Sequence, residues 1–248
     1  MSVLVTGGAG YIGSHMVYEL ADAGETVVVL DNLTTGFHWA VPGAAKLVVG
    51  DIGDEALVKQ IVAKHDVKAI IHFAGSIVVP ESVTDPLGYY LNNTVKSRAL
   101  IAAAVASGIK QFIFSSTAAV YGAPKVVPVV ETAPLEPMSP YGSSKLMTEI
   151  MLRDTSIAHD FNYVALRYFN VAGADPRGRT GQSTKGATHL IKVACETALG
   201  KRPAMDVFGT DYATRDGTCI RDYIHVKDLA RAHVAALGHL RGGGMSDV

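Results

Sequence analysis

The sequence predicts an α/β fold: a doubly wound parallel sheet with crossover helices on both faces. Three observations carry this. Short apolar runs alternate with longer helical patterns from the first residues onward. The first of these runs feeds a glycine-rich loop that opens a helix, Thr6-Gly7-Gly8-Ala9-Gly10-Tyr11-Ile12-Gly13. A chain of 248 residues that is 48% hydrophobic and 18% charged also has enough apolar material for a substantial core.

In chain order, strands are expected at Val3–Thr6, Thr26–Leu30, Lys46–Val49, Ala69–Phe73, Gln111–Ser115 and Tyr163–Arg167. Helices are expected at Tyr11–Ala23, Glu55–Lys64, Leu87–Ser107 and after Ser139. Strict alternation of this kind places strands parallel and helices on both sides of the sheet. Ser139 and Pro140 suit an N-cap and a first helical position, so Tyr141 falls in the first turn of its helix. Beyond Asn170 the alternation stops. Ala174–Lys185 is polar and rich in Gly and Arg, Ala187–Leu199 and Val226–Leu240 have helical spacing, and Asp206–Tyr223 between them is irregular. Residues 1–170 are therefore expected to form one domain. Residues 171–248 are expected to form part of a smaller second region that crosses back toward the sheet, and Gly242-Gly243-Gly244 to lead into a further strand.

A net charge of −1, with no basic run, argues against nucleic acid or a membrane surface as the main partner. No apolar run approaches the roughly 20 residues that cross a bilayer. Val3–Thr6 already reads as a strand, which leaves no leader to expect ahead of it. Cys195 and Cys219 have no metal-ligand spacing and suggest neither a metal site nor a disulfide framework. These features point to a cytoplasmic enzyme.

The glycine loop is a cradle for a dinucleotide pyrophosphate. Without side chains, Gly7, Gly10 and Gly13 let the chain turn sharply and aim backbone N–H groups, at the positive end of a helix, toward phosphate. Asp31-Asn32 ends the next strand 18 residues beyond Gly13, where a ribose diol would lie. Asp31 accepts from a free 2′-hydroxyl and repels a 2′-phosphate, which favours NAD over NADP. The sheet is therefore expected to be of the Rossmann type. Asp51-Ile52 and Phe73-Ala74-Gly75 follow the third and fourth strands, at the carboxyl edge where such sheets bind ligands. Asp51 also suits a cap on the following helix, and His72, inside Ile70-Ile71-His72-Phe73, reads as a hydrogen-bonded core residue more readily than as a catalyst.

A nicotinamide cofactor implies hydride transfer, and removing hydride from an alcohol carbon needs a base for the hydroxyl proton. Tyr141 and Lys145 lie four residues apart and share a helix face. A phenol that titrates near ~10 is expected to be drawn toward neutrality by the neighbouring cation. Tyr141 is then the base, Lys145 stabilises the phenolate and binds the nicotinamide ribose, and Thr117 or Ser116 holds the reacting oxygen.

Thr6-Gly7-x-x-Gly10-x-x-Gly13, Ser115-Ser116-Thr117 and Tyr141-x-x-x-Lys145 resemble the extended short-chain dehydrogenase/reductases. Within them, Tyr11-Ile12-Gly13-Ser14-His15, Leu30-Asp31-Asn32-Leu33, His72-Phe73-Ala74-Gly75, Glu81-Ser82-Val83, Ala119-Val120-Tyr121-Gly122, Arg167-Tyr168-Phe169-Asn170 and Arg221-Asp222-Tyr223-Ile224-His225-Val226 resemble the UDP-glucose 4-epimerase branch. The resemblance implies a permanently held NAD and a UDP-sugar oxidised at C4, turned over as the 4-keto form and reduced on its other face. It further implies cofactor contacts from Tyr11, Ile12, Asn92, Ser115 and Tyr168, nucleotide-sugar contacts from Asn170, His189, Leu190, Phe208 and Arg221, and a homodimer. Phe208 can stack on uracil and Arg221 can pair with phosphate. Two positions depart from the pattern: Ser76-Ile77-Val78-Val79 stands where a lysine is common, and Thr188-His189 where an Asn pair is common. Members of the branch continue beyond this length, so part of the sugar and diphosphate site is expected outside the present sequence. A nucleotide-sugar 4,6-dehydratase shares fold and cofactor but typically carries an Asp-Glu pair where this chain has Ala118-Ala119. A noncatalytic NAD sensor would have no need of Tyr141, Lys145 and Thr117 together.

Overall fold

The computed structural model describes residues 2–248. Six strands, β1 (Ser2–Thr6), β2 (Thr26–Asp31), β3 (Lys46–Val49), β4 (Val67–His72), β5 (Gln111–Ser115) and β6 (Asn162–Leu166), pair in parallel in the order β3-β2-β1-β4-β5-β6. The order reverses between β1 and β4, which makes the crevice above their carboxyl ends the ligand-binding position of such a sheet.

Side-chain alternation along the strands assigns the helices to faces. Val3, Val5, Val27, Val29, Ile71 and Ile113 face α1 (Tyr11–Asp22) and the final helix, while Leu4, Val28, Leu30, Ile70, Phe112 and Phe114 face α2 (Glu55–His65) and the helices that follow β4 and β5. Asp54 caps α2 through Leu57 N–H at 3.0 Å.

The expected helix over Leu87–Ser107 is divided into α4 (Pro86–Tyr89), a π-helical turn over Tyr90–Val95, and α5 (Lys96–Ala106), with a short α3 (Val79–Thr84) before it. Asp85 separates α3 from α4, its carboxylate accepting Gly88 N–H at 3.0 Å. α6 (Pro140–Ala158) starts as expected, with Ser139 accepting Gly142 N–H at 3.2 Å.

Beyond β6 the structure differs in one respect from the sequence expectation. Two three-residue strands, β7 (Asn170–Ala172) and β8 (Tyr223–His225), pair in parallel and close off the irregular stretch between them, which carries α7 (Leu190–Ala198). α8 (Val226–Arg241) then returns to the sheet, and Ala230, Ala236, Leu237 and Leu240 join the same core as Met16, Val17 and Leu20 of α1. Asp247 bridges to Val164 at the free edge of β6.

Candidate active site

Gly7 has φ +70, and a Cβ placed there would lie 2.6 Å from Ala74 N and 2.9 Å from Phe73 C. The glycine loop therefore rests directly on the chain leaving β4. That chain in turn touches α6, since a Cβ on Gly75 would meet the Asn93 side chain at 3.0 Å and Lys145 Nζ at 3.6 Å. Gly7, Phe73-Ala74-Gly75 and Lys145 thus form one continuous wall of the crevice. No side chain caps α1, and its first turn holds no acidic residue, so the positive helix end faces the crevice uncompensated. These features fit a dinucleotide pyrophosphate.

Asp31 is oriented by the loop itself: Oδ2 accepts Ala9 N–H at 2.9 Å and Oδ1 accepts Leu33 N–H at 2.8 Å. Each oxygen keeps a lone pair for a ribose hydroxyl. Asn32 is exposed and holds Thr34. Asp51 does not cap α2, a role Asp54 fills. Its Oδ1 accepts Gly53 N–H at 2.8 Å and its Oδ2 the Lys96 ammonium at 2.5 Å. Burial opposes ionisation there, but Lys96 and the Gly53 N–H outweigh it and hold the carboxyl below its ordinary range. Ile52 is buried beside it, in the same core as α2. Tyr11 donates to Gly173 O at 2.6 Å, tying the first turn of α1 to the segment after β7, and Ile12 follows it, half-buried. Asn92 Nδ2 donates to Ser76 Oγ at 2.9 Å, and the Tyr168 and Ser115 hydroxyls are hydrogen-bonded to each other.

His72 is fully buried between Thr6 Oγ1 (2.7 Å) and Ser97 Oγ (2.9 Å), and burial, with the Lys145 charge, pushes it down to about 3. It is a neutral core residue.

The expectation that Lys145 lowers Tyr141 is corrected. Burial raises the Tyr141 phenol above its ordinary value, and the Thr117 hydroxyl opposes this only in part through hydrogen bonding. The lysine is spent elsewhere: Lys145 Nζ donates to Ser115 O at 3.0 Å and lies 4.9 Å from the Phe114 ring centroid, and burial pulls it down to about 8. Spacing along a helix says that two side chains share a face, not how dry that face is.

The residues expected to hold the nucleotide sugar are less closely gathered. The β7–β8 pairing sets Asn170 opposite Tyr223, two residues after Arg221, and Asn170 Nδ2 donates to Asp222 O at 3.0 Å. His189 is the N-cap of α7, hydrogen-bonded to Gln182 at 3.1 Å, and Leu190 begins that helix on the surface. Phe208 is 86% exposed on the irregular segment between α7 and β8. Arg221 is also exposed, and its guanidinium donates only to Ile220 O at 2.8 Å.

Three groups around the crevice had no motif to announce them. Lys96 meets Asp51 across 45 positions. Asn93 accepts Ser76 N–H at 2.7 Å and donates to Ser144 Oγ at 3.1 Å, joining the β4 loop to α6. Glu149 receives a bidentate Arg167, Nε donating to Oε1 and Nη2 to Oε2. For Glu149 alone a signal existed, its place one turn after Lys145 on the same face.

Comparison with known proteins identifies the family. The model of the NAD dependent epimerase/dehydratase family matches residues 3–248. The chain belongs to this family. Among its members, the UDP-glucose 4-epimerase of Azospirillum brasilense is 62% identical over 98% of this chain and 70% of its own length. The crystal structure of the UDP-glucose 4-epimerase from Brucella ovis in complex with NAD superposes with a TM-score of 0.96 at 47% identity, over 99% of this chain and 75% of that one. The Bifidobacterium longum enzyme, in complex with NAD+ and UDP, does so with a TM-score of 0.91 at 40% identity, over 96% and 74%. Membership of the epimerase/dehydratase family accounts for the order of the six strands and for the glycine loop above β1.

Proposed function

We propose that this chain is an NAD-dependent epimerase that inverts C4 of a UDP-hexose, interconverting UDP-glucose and UDP-galactose through a transient 4-keto sugar. The observation that carries the reading is the unbroken wall from Gly7 through Ala74 and Gly75 to Lys145. It sets a dinucleotide cradle beside a Tyr-x-x-x-Lys helix in a family whose close relatives are UDP-glucose 4-epimerases. NAD supplies a hydride acceptor and donor in this crevice. Its holders are Gly7, Gly10, Tyr11, Ile12, Gly13, Asp31, Asn32, Asp51, Ile52, Phe73, Ala74, Gly75, Asn92, Ser115 and Tyr168.

Tyr141 takes the C4 hydroxyl proton and returns it to the carbonyl oxygen in the second half of the cycle. Thr117 holds that oxygen, and its hydrogen bond to Tyr141 stabilises the phenolate. The Lys145 ammonium, fixed on Ser115 O, supplies a donor for a ribose hydroxyl. Lys145 is buried and Tyr141 partly so, which limits the water that would otherwise screen them. Asn170, His189, Leu190, Phe208 and Arg221 form the nucleotide-sugar side. On this reading residues 1–170 hold the cofactor and catalytic groups, and residues 171–248 contribute to the sugar nucleotide site before α8 returns to the sheet.

The proposal extends to a homodimer and to the cytoplasm. A groove of about 580 Å³ between α5 and α6 is lined by Ile101, Ala102, Val105 and Met151, while Leu87 on α4, Leu91 and Val95 in the π-helical turn and Ile150 on α6 stand exposed. A two-fold pairing of these helices would cover them. Both cysteines are free and exposed, which suits a reducing compartment, and galactose metabolism is the corresponding physiological setting. The test is conversion of UDP-galactose to UDP-glucose by the purified protein without added cofactor, with NAD released on denaturation. A protein that binds NAD but leaves UDP-galactose unchanged would refute the assignment.

A further inference from the structure

Three separate pieces of chain around the active site meet at one buried carboxylate. Glu149 lies on α6, one turn beyond Lys145, and its side chain is 5% exposed. Arg167, at the end of β6 and 8% exposed, donates Nη2 to Oε2 at 2.6 Å and Nε to Oε1 at 3.0 Å. Ser116, between Ser115 and Thr117 at the end of β5, donates its hydroxyl to Oε1. The remaining guanidinium nitrogen, Nη1, donates to Tyr121 Oη at 3.1 Å and to Glu131 O at 3.2 Å. Both carboxylate oxygens and all three guanidinium nitrogens of the pair are engaged by these groups, while the two neighbours of Ser116 and the residue after Arg167 are all assigned to the crevice. Tyr168 pairs with Ser115, and its carbonyl accepts Ala118 N–H at 3.0 Å.

We propose that Glu149 is a positioning residue for the Tyr141–Lys145 couple: clamped by Ser116 and Arg167, it locks α6 to the ends of β5 and β6 and keeps the Lys145 ammonium charged. The inference rests on the assignment of Tyr141 and Lys145 to the chemistry. The groups that face Lys145 are few. β5 presents the Ser115 carbonyl and the Phe114 ring, β4 the neutral His72, and α6 itself Tyr141, one turn before it, and Glu149, one turn after. Glu149 in turn faces Arg167 and, from β6, Tyr163. It is thus the anionic group acting on Lys145, and it acts against the burial that otherwise discharges the lysine. A carboxylate one helical turn away favours the protonated amine.

The experiment is a direct titration of Lys145 in the full chain labelled with ¹³C at lysine Cε, the signal being identified by its loss in Lys145→Met. Glu149→Gln, which leaves the Arg167 charge unbalanced, should move the Lys145 midpoint down by about one pH unit. Arg167→Gln, available should the first variant not fold, should move it up. In Glu149→Gln/Arg167→Gln it should return toward the wild-type position although the packing is altered. The alkaline limb of kcat should follow the same directions, with KM for UDP-galactose changed less than twofold. A Lys145 midpoint that stays fixed, or that moves equally in the single and double Glu149 variants, would overturn the inference and reduce Glu149 to a packing role. Absence of UDP-galactose turnover in the unsubstituted chain would instead sink the epimerase reading and leave the titration result standing.

Discussion

Replacing Gly7 by alanine tests the contact on which the cofactor site is built. Gly7 has φ +70, a conformation that costs an L-residue roughly 1–2 kcal/mol. The added methyl would also stand 2.6 Å from Ala74 N, 2.8 Å from Ala74 Cα and 2.9 Å from Phe73 C. All three are backbone atoms at the end of a central strand, so no side chain can swing aside, and forced overpacking of this kind costs about 1–3 kcal/mol more. Gly24→Ala separates the two terms, because Gly24 has φ +81 and nothing within 4 Å of a built Cβ. Expressed as NAD affinity, the clash alone predicts a loss of about 5- to 150-fold for Gly7→Ala. Gly24→Ala should pay only the backbone term and retain its cofactor. Urea midpoints give the stability difference, and absorbance after denaturation gives the NAD content. Two variants that match in both would show that the glycine loop does not rest on Ala74, and the wall that joins cradle to Lys145 would fall with it.

Tyr141→Phe should lower turnover by about 10²–10⁴ while leaving NAD bound, since the ring still packs and only the proton acceptor is lost. Near-normal turnover would remove Tyr141 from the chemistry. Asp31 should make the purified protein carry NAD and bind NADP poorly, and equal affinities in direct titration would refute that role. Burial places His72 at about 3 and His233 at about 4, against 6.5 when exposed, so the unfolded chain binds more protons between these limits. Their contribution to stability is complete above about pH 6.5 and is lost as pH falls through that value toward 3–4. His72→Asn should reduce the slope of stability against pH by about one proton in this window. An unchanged slope in urea unfolding from pH 7 to 5 would contradict the neutral, buried state.

The strands and the glycine loop were legible because their signals are local: apolar runs of the right length, Gly at the positions the turn requires, and Ser139-Pro140 ahead of α6. The break in the Leu87–Ser107 helix was not, since the π-helical turn over Tyr90–Val95 is set by Asn93 reaching Ser76 and Ser144 in other elements. β7 and β8 have three residues each, too few for periodicity to register. The pairing of Asp51 with Lys96 joins two helix–strand units across the sheet edge and leaves no mark on either segment alone. The same holds for the Tyr141 phenol. Its distance from Lys145 along the helix is written in the sequence, but the dryness of their surroundings depends on β5, α6 and the chain after β6 together.

The return of α8 to the sheet separates the order of synthesis from the order of assembly. The face bearing Val3, Val5, Val29, Ile71 and Ile113 is covered by α1 on one side and by Ala230, Ala236, Leu237 and Leu240 on the other. Arg241 then reaches Glu25 across 216 positions, and Asp247 hydrogen-bonds the backbone of β6. On a ribosome all six strands of the cofactor half emerge before their last cover exists. A nascent chain of 170 residues therefore presents a strip of valine and isoleucine to water, and an open sheet is the state most exposed to pairing with a neighbour. The sheet beneath the dinucleotide crevice, although its strands all precede residue 170, has this face fully covered only when residues 226–241 are in place.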